Sequence, residues 1–264
     1  SAVQPLGKMN GAVGNYNAHQ VAYPNVDWPA LSEHFVTGLG IQWNPYTTQI
    51  EPHDYLAEYF DAIARLNQIL VDFSRDIWSY ISLGYFSQIP VAGATGSSTM
   101  PHKINPIRFE NAEANLEISG GLLATLAQTL VTSRLQRDLT DSTTQRNIGV
   151  ALGHSLLALD NLARGLTEIS LAQAALDADL EGNWEVLAEA IQTVVRAEIV
   201  AGRSQISDPY ALLKDLTRGR RVGAAELADF VRGLDIGDAA KERLLALTPA
   251  SYTGLASDLV SEIE

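Results

Sequence analysis

Residues 55–81 read YLAEYFDAIARLNQILVDFSRDIWSYI, and this stretch sets the fold class. Tyr55, Leu56, Tyr59, Phe60, Ile63, Leu66, Ile69, Leu70, Phe73, Ile77, Trp78 and Ile81 recur at threes and fours. That is the spacing of one broad apolar stripe on an α-helix of about eight turns. Outward from it, residues 106–133 continue the pattern with Phe109, Leu116, Leu122, Leu123, Leu126 and Leu130, broken only by Gly120–Gly121. A third long helix is expected from about Ser142 to Leu166, capped by Asp141 or Ser142 and carrying Ile148, Leu152, Leu156, Leu159 and Leu162. A shorter helix fits 28–38, and period-two alternation is hard to find. Three long amphipathic helices predict an all-α bundle occupying residues 1–167.

After about residue 167 the predicted helices shorten, to roughly 185–201, 209–217, 224–233, 238–246 and 250–263. Gly202, Pro209, Gly223, Gly237 and Pro249 punctuate them, and residues 168–264 read as a smaller helical domain. The long stripes are wide enough to bury on more than one side, so self-association is expected.

A chain of 264 residues is long enough for one large core or two modest domains. Cysteine is absent, which excludes disulfides and thiolate metal sites and makes a reducing cytoplasm the natural setting. No uninterrupted apolar run reaches the ~18 residues of a membrane span, so no membrane partner is expected. Acidic residues outnumber basic ones 14 to 9 in residues 1–167 and 17 to 9 in residues 168–264. Tracking a nucleic acid needs a basic face, and none is visible. A single nucleotide needs only two or three local cations.

One segment departs from that acidity. Residues 93–106 read Gly-Ala-Thr-Gly-Ser-Ser-Thr-Met-Pro-His-Lys-Ile-Asn-Pro, and no acidic residue lies between Asp76 and Glu110. Two hydroxyls (Ser97, Ser98), a cation (Lys103), an amide (Asn105) and a titratable ring (His102) converge just before a helix start at Pro106. Such a loop either closes over a small anion or is a solvated linker.

The string Gly96-Ser97-Ser98-Thr99-Met100-Pro101-His102-Lys103-Ile104-Asn105-Pro106 resembles the signature of the fumarase/aspartase superfamily. Met100-Pro101-His102-Lys103 is similar to the adenylosuccinate lyase branch. So are Gln42–Asp54 upstream and Gln136–Ser142 downstream, and these look like the bacterial form. The resemblance runs from about Gly7 to the C-terminus, through Asn183–Leu187 and Leu216–Gly219. It implies a long-helix bundle followed by a small helical domain. The implied activity, in purine biosynthesis, is elimination of fumarate from adenylosuccinate, giving AMP, and from succinyl-aminoimidazole-carboxamide ribotide. It also implies a cytoplasmic homotetramer with shared active sites, and suggests no cofactor or metal.

That elimination needs a base to take a proton from the carbon beside a carboxylate. It also needs donors to hold the resulting aci-carboxylate, and an acid for the leaving nitrogen. The resemblance assigns the base to Ser97, within a signature loop at 88–105 that closes on the substrate. Ser98, Lys103 and Asn105 would hold the succinyl carboxylates, with Gln49, Ile104 and Asn111 as further substrate contacts. Arg137 and the run Ser142, Thr143, Thr144, Gln145, Arg146 form a third patch. Ser142 and Arg146 share a helix face and suit a monophosphate. The bland reading of those arginines is surface ion pairing with Asp138 or Asp141. His19, His34 and His154 read as structural, His53 as part of a helix start and His102 as a branch marker. Arg218-Gly219-Arg220-Arg221 reads as a solvated helix end.

The family's general acid is a histidine followed by glycine, and none of the five histidines here has that context. The opening Ser1-Ala2-Val3-Gln4-Pro5 is neither a methionine start nor a targeting signal. Both features read as the C-terminal portion of a longer enzyme, expected to be inactive alone. Rival readings are another superfamily member (argininosuccinate lyase, fumarase or a cycloisomerase) and a non-catalytic helical oligomer on the same fold.

Overall fold

The computed structural model describes residues 3–89, 105–217 and 222–263. The chain divides into two compact units, the first ending at Ser170 and the second beginning at Leu171. The first contains β1 (Leu6–Gly7), α1 (Asn17–Ala22), α2 (Trp28–Gly38), β2 (Gln42–Trp43), α3 (Asp54–Ser82), β3 (Phe86–Gln88), α4 (Ile107–Leu130), α5 (Thr140–Gln145) and α6 (Ile148–Thr167). β4 (Ile169–Leu171) sits at the boundary and pairs with β3. The short parallel pairing of β1 with β2 sets Leu6 beside Gln42 and Gly7 beside Trp43.

α4 is the middle helix, packed against α3 on one side and α6 on the other. It runs antiparallel to both. Asn67 of α3 reaches Ser119 while Arg75, two turns later, reaches back to Glu113, and on α6 Ala151 meets Ser119 while Asn161 meets Arg108. The apolar stripe of α3 divides accordingly. Val71 and Ile77 enter one core with Phe109, Ala112, Leu116, Ala158 and Leu162, and Phe60 enters a second with Leu123, Leu126, Leu130 and Ala151. Each fully buried valine, leucine or phenylalanine among them contributes about 1.5–3 kcal/mol relative to exposure. Between the two cores sits a polar knot. Asn67 Nδ2 donates to Ser119 Oγ (3.0 Å) and Ser155 Oγ (2.8 Å), and the two hydroxyls are 2.7 Å apart. Buried amide and hydroxyl groups require such mutual pairing, which fixes the register of three helices at once.

The stripes are wider than one chain covers. Tyr59, Leu66, Ile69 and Trp78 of α3 and Leu156, Leu157 and Leu159 of α6 stay exposed.

The helix expected from Ser142 to Leu166 is two helices, α5 and α6, separated at Arg146–Asn147. The Asn147 amide donates to Thr144 O at 3.0 Å, a tight i→i+3 turn that ends α5, and Asn147 O then accepts from Ala151 N to begin α6. The cap also differs. Neither Asp141 nor Ser142 opens the helix. The carboxylate of Asp138 holds its first turn, accepting from the Thr140 amide (2.9 Å) and hydroxyl (2.6 Å), and these bonds set the Asp138 pKa below the usual carboxylate range. The short helix α1 and the two strand pairs are absent from the sequence expectation, being too brief for periodicity to register.

The second unit carries α7 (Gln173–Glu181), α8 (Ala188–Val200), α9 (Pro209–Thr217), α10 (Ala224–Gly233), α11 (Asp238–Leu245) and α12 (Ala256–Ser261), with 3₁₀ turns at Trp184–Leu187 and Pro249–Ser251. α7 was not expected. The core of the second unit is Leu187, Ile191, Val195, Leu227, Val231 and Leu244 with neighbours. Glu198, 3 % exposed, is held by Arg203 through two bonds (2.9 and 2.7 Å) and by the Gly237 amide at 3.1 Å. Arg203 foremost lowers the Glu198 pKa to about 2. Among the described residues no helix is long and apolar enough to cross a membrane. Arg218, Gly219, Arg220 and Arg221 lie outside the described residues.

Candidate active site

The segment between β2 and α3, which carries Gln49, is pinned from several directions. Asn10 and Thr47 exchange side-chain hydrogen bonds at 2.8 and 3.1 Å. Gly14, with φ of +82°, approaches so closely that a Cβ there would lie 1.9 Å from Thr47 O, so only glycine fits. Lys8 Nζ donates to Gly11 O (2.8 Å), Thr48 O (3.0 Å) and Gln49 O (2.7 Å). At the far end, Glu51, 9 % exposed, accepts from Asn44 Nδ2 (3.2 Å) and from the His53 amide (2.9 Å). His53 is the residue before α3 and takes φ of +63°, a left-handed conformation that costs roughly 1–2 kcal/mol for a residue with a Cβ.

This segment meets the one that holds α5. The Gln49 amide donates to Gln136 O at 3.2 Å, and Gln145 Nε2 lies 2.9 Å from His53 Nε2. Asp141, 7 % exposed, accepts from Arg137 Nη2 at 3.3 Å and from the Ser142 amide at 2.6 Å, with His53 Nε2 3.8 Å away. Arg137, Ser142 and Gln145 therefore meet His53 and Asp141, with Gln49 tied in through Gln136, while Thr143 and Thr144 lie on the same short helix and Arg146 caps it, Thr143 and Arg146 being exposed. The Arg137–Asp141 pair is not the plain surface ion pair that spacing alone allowed, because its carboxylate is buried. Arg134–Asp138, with its arginine 83 % exposed, is that kind of pair. Arg137 Nε and His53 Nδ1 are buried without a hydrogen-bond partner.

Asn105 and Asn111 fall elsewhere. Asn105 is half-buried just before α4, with its carbonyl accepting from Ile107 N at 2.8 Å. Asn111, on the second turn of α4, accepts from Asn115 Nδ2 at both its backbone oxygen (2.8 Å) and its side-chain oxygen (3.1 Å). Asn115 Oδ1 in turn lies 2.7 Å from His154 Nδ1 on α6, which gives His154 a structural partner. Ser97, Ser98, His102, Lys103 and Ile104, with most of the 88–105 loop, lie outside the described residues.

The two groups sit toward opposite ends of the bundle. His53 precedes the end of α3 whose Phe60 packs with Leu123, Leu126 and Leu130, late in α4, whereas Asn111 is near the start of α4. At ~1.5 Å per helical residue, Asn111 and Leu130 are roughly 28 Å apart. Sequence reasoning assigned no site role to Glu51 or Asp141 and placed His53 only at a helix start. The one available signal was three titratable residues flanking the assigned contacts Gln49, Arg137 and Ser142, and spacing alone could not show that the two segments meet.

Two family models match the chain, one described as "Lyase" over residues 2–117 and one as "Adenylosuccinate lyase C-terminal" over residues 133–253. The chain is 55 % identical over 262 residues to the adenylosuccinate lyase of Escherichia coli strain K12, covering 99 % of this chain and 56 % of that protein. With the adenylosuccinate lyase of Haemophilus influenzae it is 55 % identical over 258 residues, or 98 % of this chain and 55 % of that one. It thus spans just over half the length of these relatives. Among solved structures, 3-carboxy-cis,cis-muconate lactonizing enzyme from Pseudomonas putida superposes with a TM-score of 0.66 over 97 % of this chain and 56 % of that one. At 22 % identity this shows a shared fold.

Proposed function

The chain belongs to the adenylosuccinate lyase family, whose C-terminal portion it matches, and from this premise we propose that it forms part of a lyase of purine biosynthesis. The reaction is elimination of fumarate from adenylosuccinate, leaving AMP, and from succinyl-aminoimidazole-carboxamide ribotide, leaving the carboxamide. The single observation that carries the reading is the near-complete match of the chain to proteins of that name. The matched span includes the ordered string from Ser97 to Asn105.

Ser97 acts as the base. It removes a proton from the carbon beside a succinyl carboxylate, and the electron pair moves into that carboxylate. Ser98, Lys103 and Asn105 hold the resulting charge, Lys103 as a cation and Asn105 as a directed donor, and Ile104 contacts the substrate. The pair then returns to form the carbon–carbon double bond as the carbon–nitrogen bond breaks, and an acid supplied from outside this chain's described residues protonates the nitrogen. Gln49 and Asn111 contact the substrate. Arg137, Ser142, Thr143, Thr144, Gln145 and Arg146 take the nucleotide phosphate, for which guanidinium groups and hydroxyls are suited donors. Residues 1–167 form the bundle domain carrying this chemistry, residues 168–264 form the smaller domain, and the reducing cytoplasm is the setting.

The working enzyme is a homotetramer with shared active sites. Two observations support this: Asn111 lies near the start of α4 while the Gln49–Arg137 cluster lies toward the other end of the bundle, and α3 and α6 carry apolar side chains that one chain leaves exposed.

The test is fumarate release by the purified full-length protein from adenylosuccinate, succinyl-aminoimidazole-carboxamide ribotide, argininosuccinate and malate. Release from the first two is expected. Release from argininosuccinate or malate alone would overturn the assignment, and a fully active monomer in light scattering would overturn the shared sites.

A further inference from the structure

The geometry points to Lys8 as a positioning residue for Gln49, acting through the backbone of the segment that carries it. This rests on the lyase reading, in which Gln49 contacts the substrate.

An ammonium group has three donors and no acceptor. Lys8 Nζ spends all three on backbone carbonyls, of Gly11 at 2.8 Å, Thr48 at 3.0 Å and Gln49 at 2.7 Å. Two of those oxygens belong to consecutive peptides around Gln49. Carbonyls held by a cation form charge-assisted bonds, stronger than bonds between neutral groups. The Gln49 amide is meanwhile bound to Gln136 O at 3.2 Å, so the backbone of this one residue is fixed on both sides by different parts of the chain. Gln136 leads directly into the proposed phosphate cluster at Arg137.

The other restraints on the segment act one residue or more away. Asn10 binds the Thr47 side chain, Gly14 crowds Thr47 O, and Glu51 holds Asn44 and His53. None of them touches the Gln49 carbonyl. Without the ammonium, the carbonyls of Thr48 and Gln49 lose their shared partner, and the peptide following Gln49 is free to rotate and carry the side chain out of line. Arginine is no substitute, because its planar fork does not converge on three carbonyls from a single point. Burial lowers the Lys8 pKa, as expected for a cation whose solvation is supplied by the protein.

The experiment uses the full-length enzyme with Lys8→Met, Lys8→Arg, Gln49→Ala and the double variant Lys8→Met/Gln49→Ala. Lys8→Met is expected to lower kcat/KM for adenylosuccinate by about tenfold or more, and Lys8→Arg to recover only part of it. The double variant should be no worse than Gln49→Ala alone, within about twofold, because both changes remove the same contact. A remote structural strut would give losses that multiply. Multiplying losses, or a Lys8→Met enzyme within about twofold of wild type, would overturn the proposal. If Lys8→Met fails to fold, Lys8→Gln, which keeps a donor, replaces it under the same criteria. If the wild-type enzyme releases no fumarate, the lyase reading fails by itself, and amide hydrogen exchange decides the placement of Lys8. Faster exchange at Gln49 and Ile50 in the Lys8 variant, with α4 amides unchanged, upholds the link, and unchanged exchange removes it.

Discussion

Gln145 Nε2 lies 2.9 Å from His53 Nε2, joining residues 92 apart in the chain. With the amide nitrogen as donor, the ring accepts at Nε2 and carries its proton on Nδ1, the nitrogen that lies 3.9 Å from Glu51 Oε2. The pair ties the start of α3 to the end of α5, and His53 makes it from a backbone at positive φ.

The cost of that conformation is measurable. Asparagine tolerates the left-handed region better than other residues with a Cβ, and a β-branched residue tolerates it least. His53→Val is expected to be about 1–2 kcal/mol less stable than His53→Asn, although both lose the contact to Gln145. Denaturation of the two variants side by side checks this, and equal stability would refute it.

Arg137 and Arg146 separate binding from folding. Arg146 is exposed, so Arg146→Ala should weaken AMP binding while leaving the thermal midpoint nearly unchanged. Arg137→Ala should do both kinds of damage, because it strips the buried Asp141 of its cation at 3.3 Å, and losing one partner of a buried pair costs roughly 3–5 kcal/mol at most. Fumarate binding should change far less in either variant. Calorimetric titration with AMP and with fumarate distinguishes them, and equal losses for the two ligands would displace both arginines from the phosphate site.

Ser97→Ala in the full-length enzyme should reduce turnover by about a hundredfold or more with substrate binding largely kept, since it removes the proposed base and few contacts. Turnover within about tenfold of wild type, a barrier change of only ~1.4 kcal/mol, would sink the assignment.

Glu198 sets an acid limit for the second unit. Its folded pKa of about 2 lies below the ordinary 4.5, so its ionised form is favoured by folding, and the stability it contributes is present above 4.5 and lost as pH falls toward 2. Glu198→Gln should flatten the pH dependence of stability across that window and lower stability at neutral pH. A pH series of thermal midpoints for the two proteins checks it, and parallel curves would show that Glu198 contributes no linkage.

The Asn67 knot gives a core prediction. Asn67→Ala leaves the Ser119 and Ser155 hydroxyls with one partner fewer and opens a small cavity, a loss of about 1–3 kcal/mol. Chemical denaturation of the variant measures it.

The local sequence determined the helical class, because a stripe repeating at threes and fours from Tyr55 to Ile81 fits only a helix with a wide buried face. It also singled out Ser97, Lys103 and Asn105 as candidates for the chemistry, since an ordered string of side chains is legible without coordinates. The break at Asn147 was not legible, because the apolar spacing continues through it and only the turn from Asn147 to Thr144 ends the helix. Nor were the places of Glu51, His53 and Asp141. What they do depends on two segments meeting across the end of the bundle, a contact fixed by helix packing and by the backbone bonds of Gln49 and Gln136. Tertiary structure alone decided that Gln49, Arg137 and Gln145 share one cluster while Asn111 stands apart. The physical reason is that a helix carries residues apart at ~1.5 Å each, whatever their side chains are suited to do together.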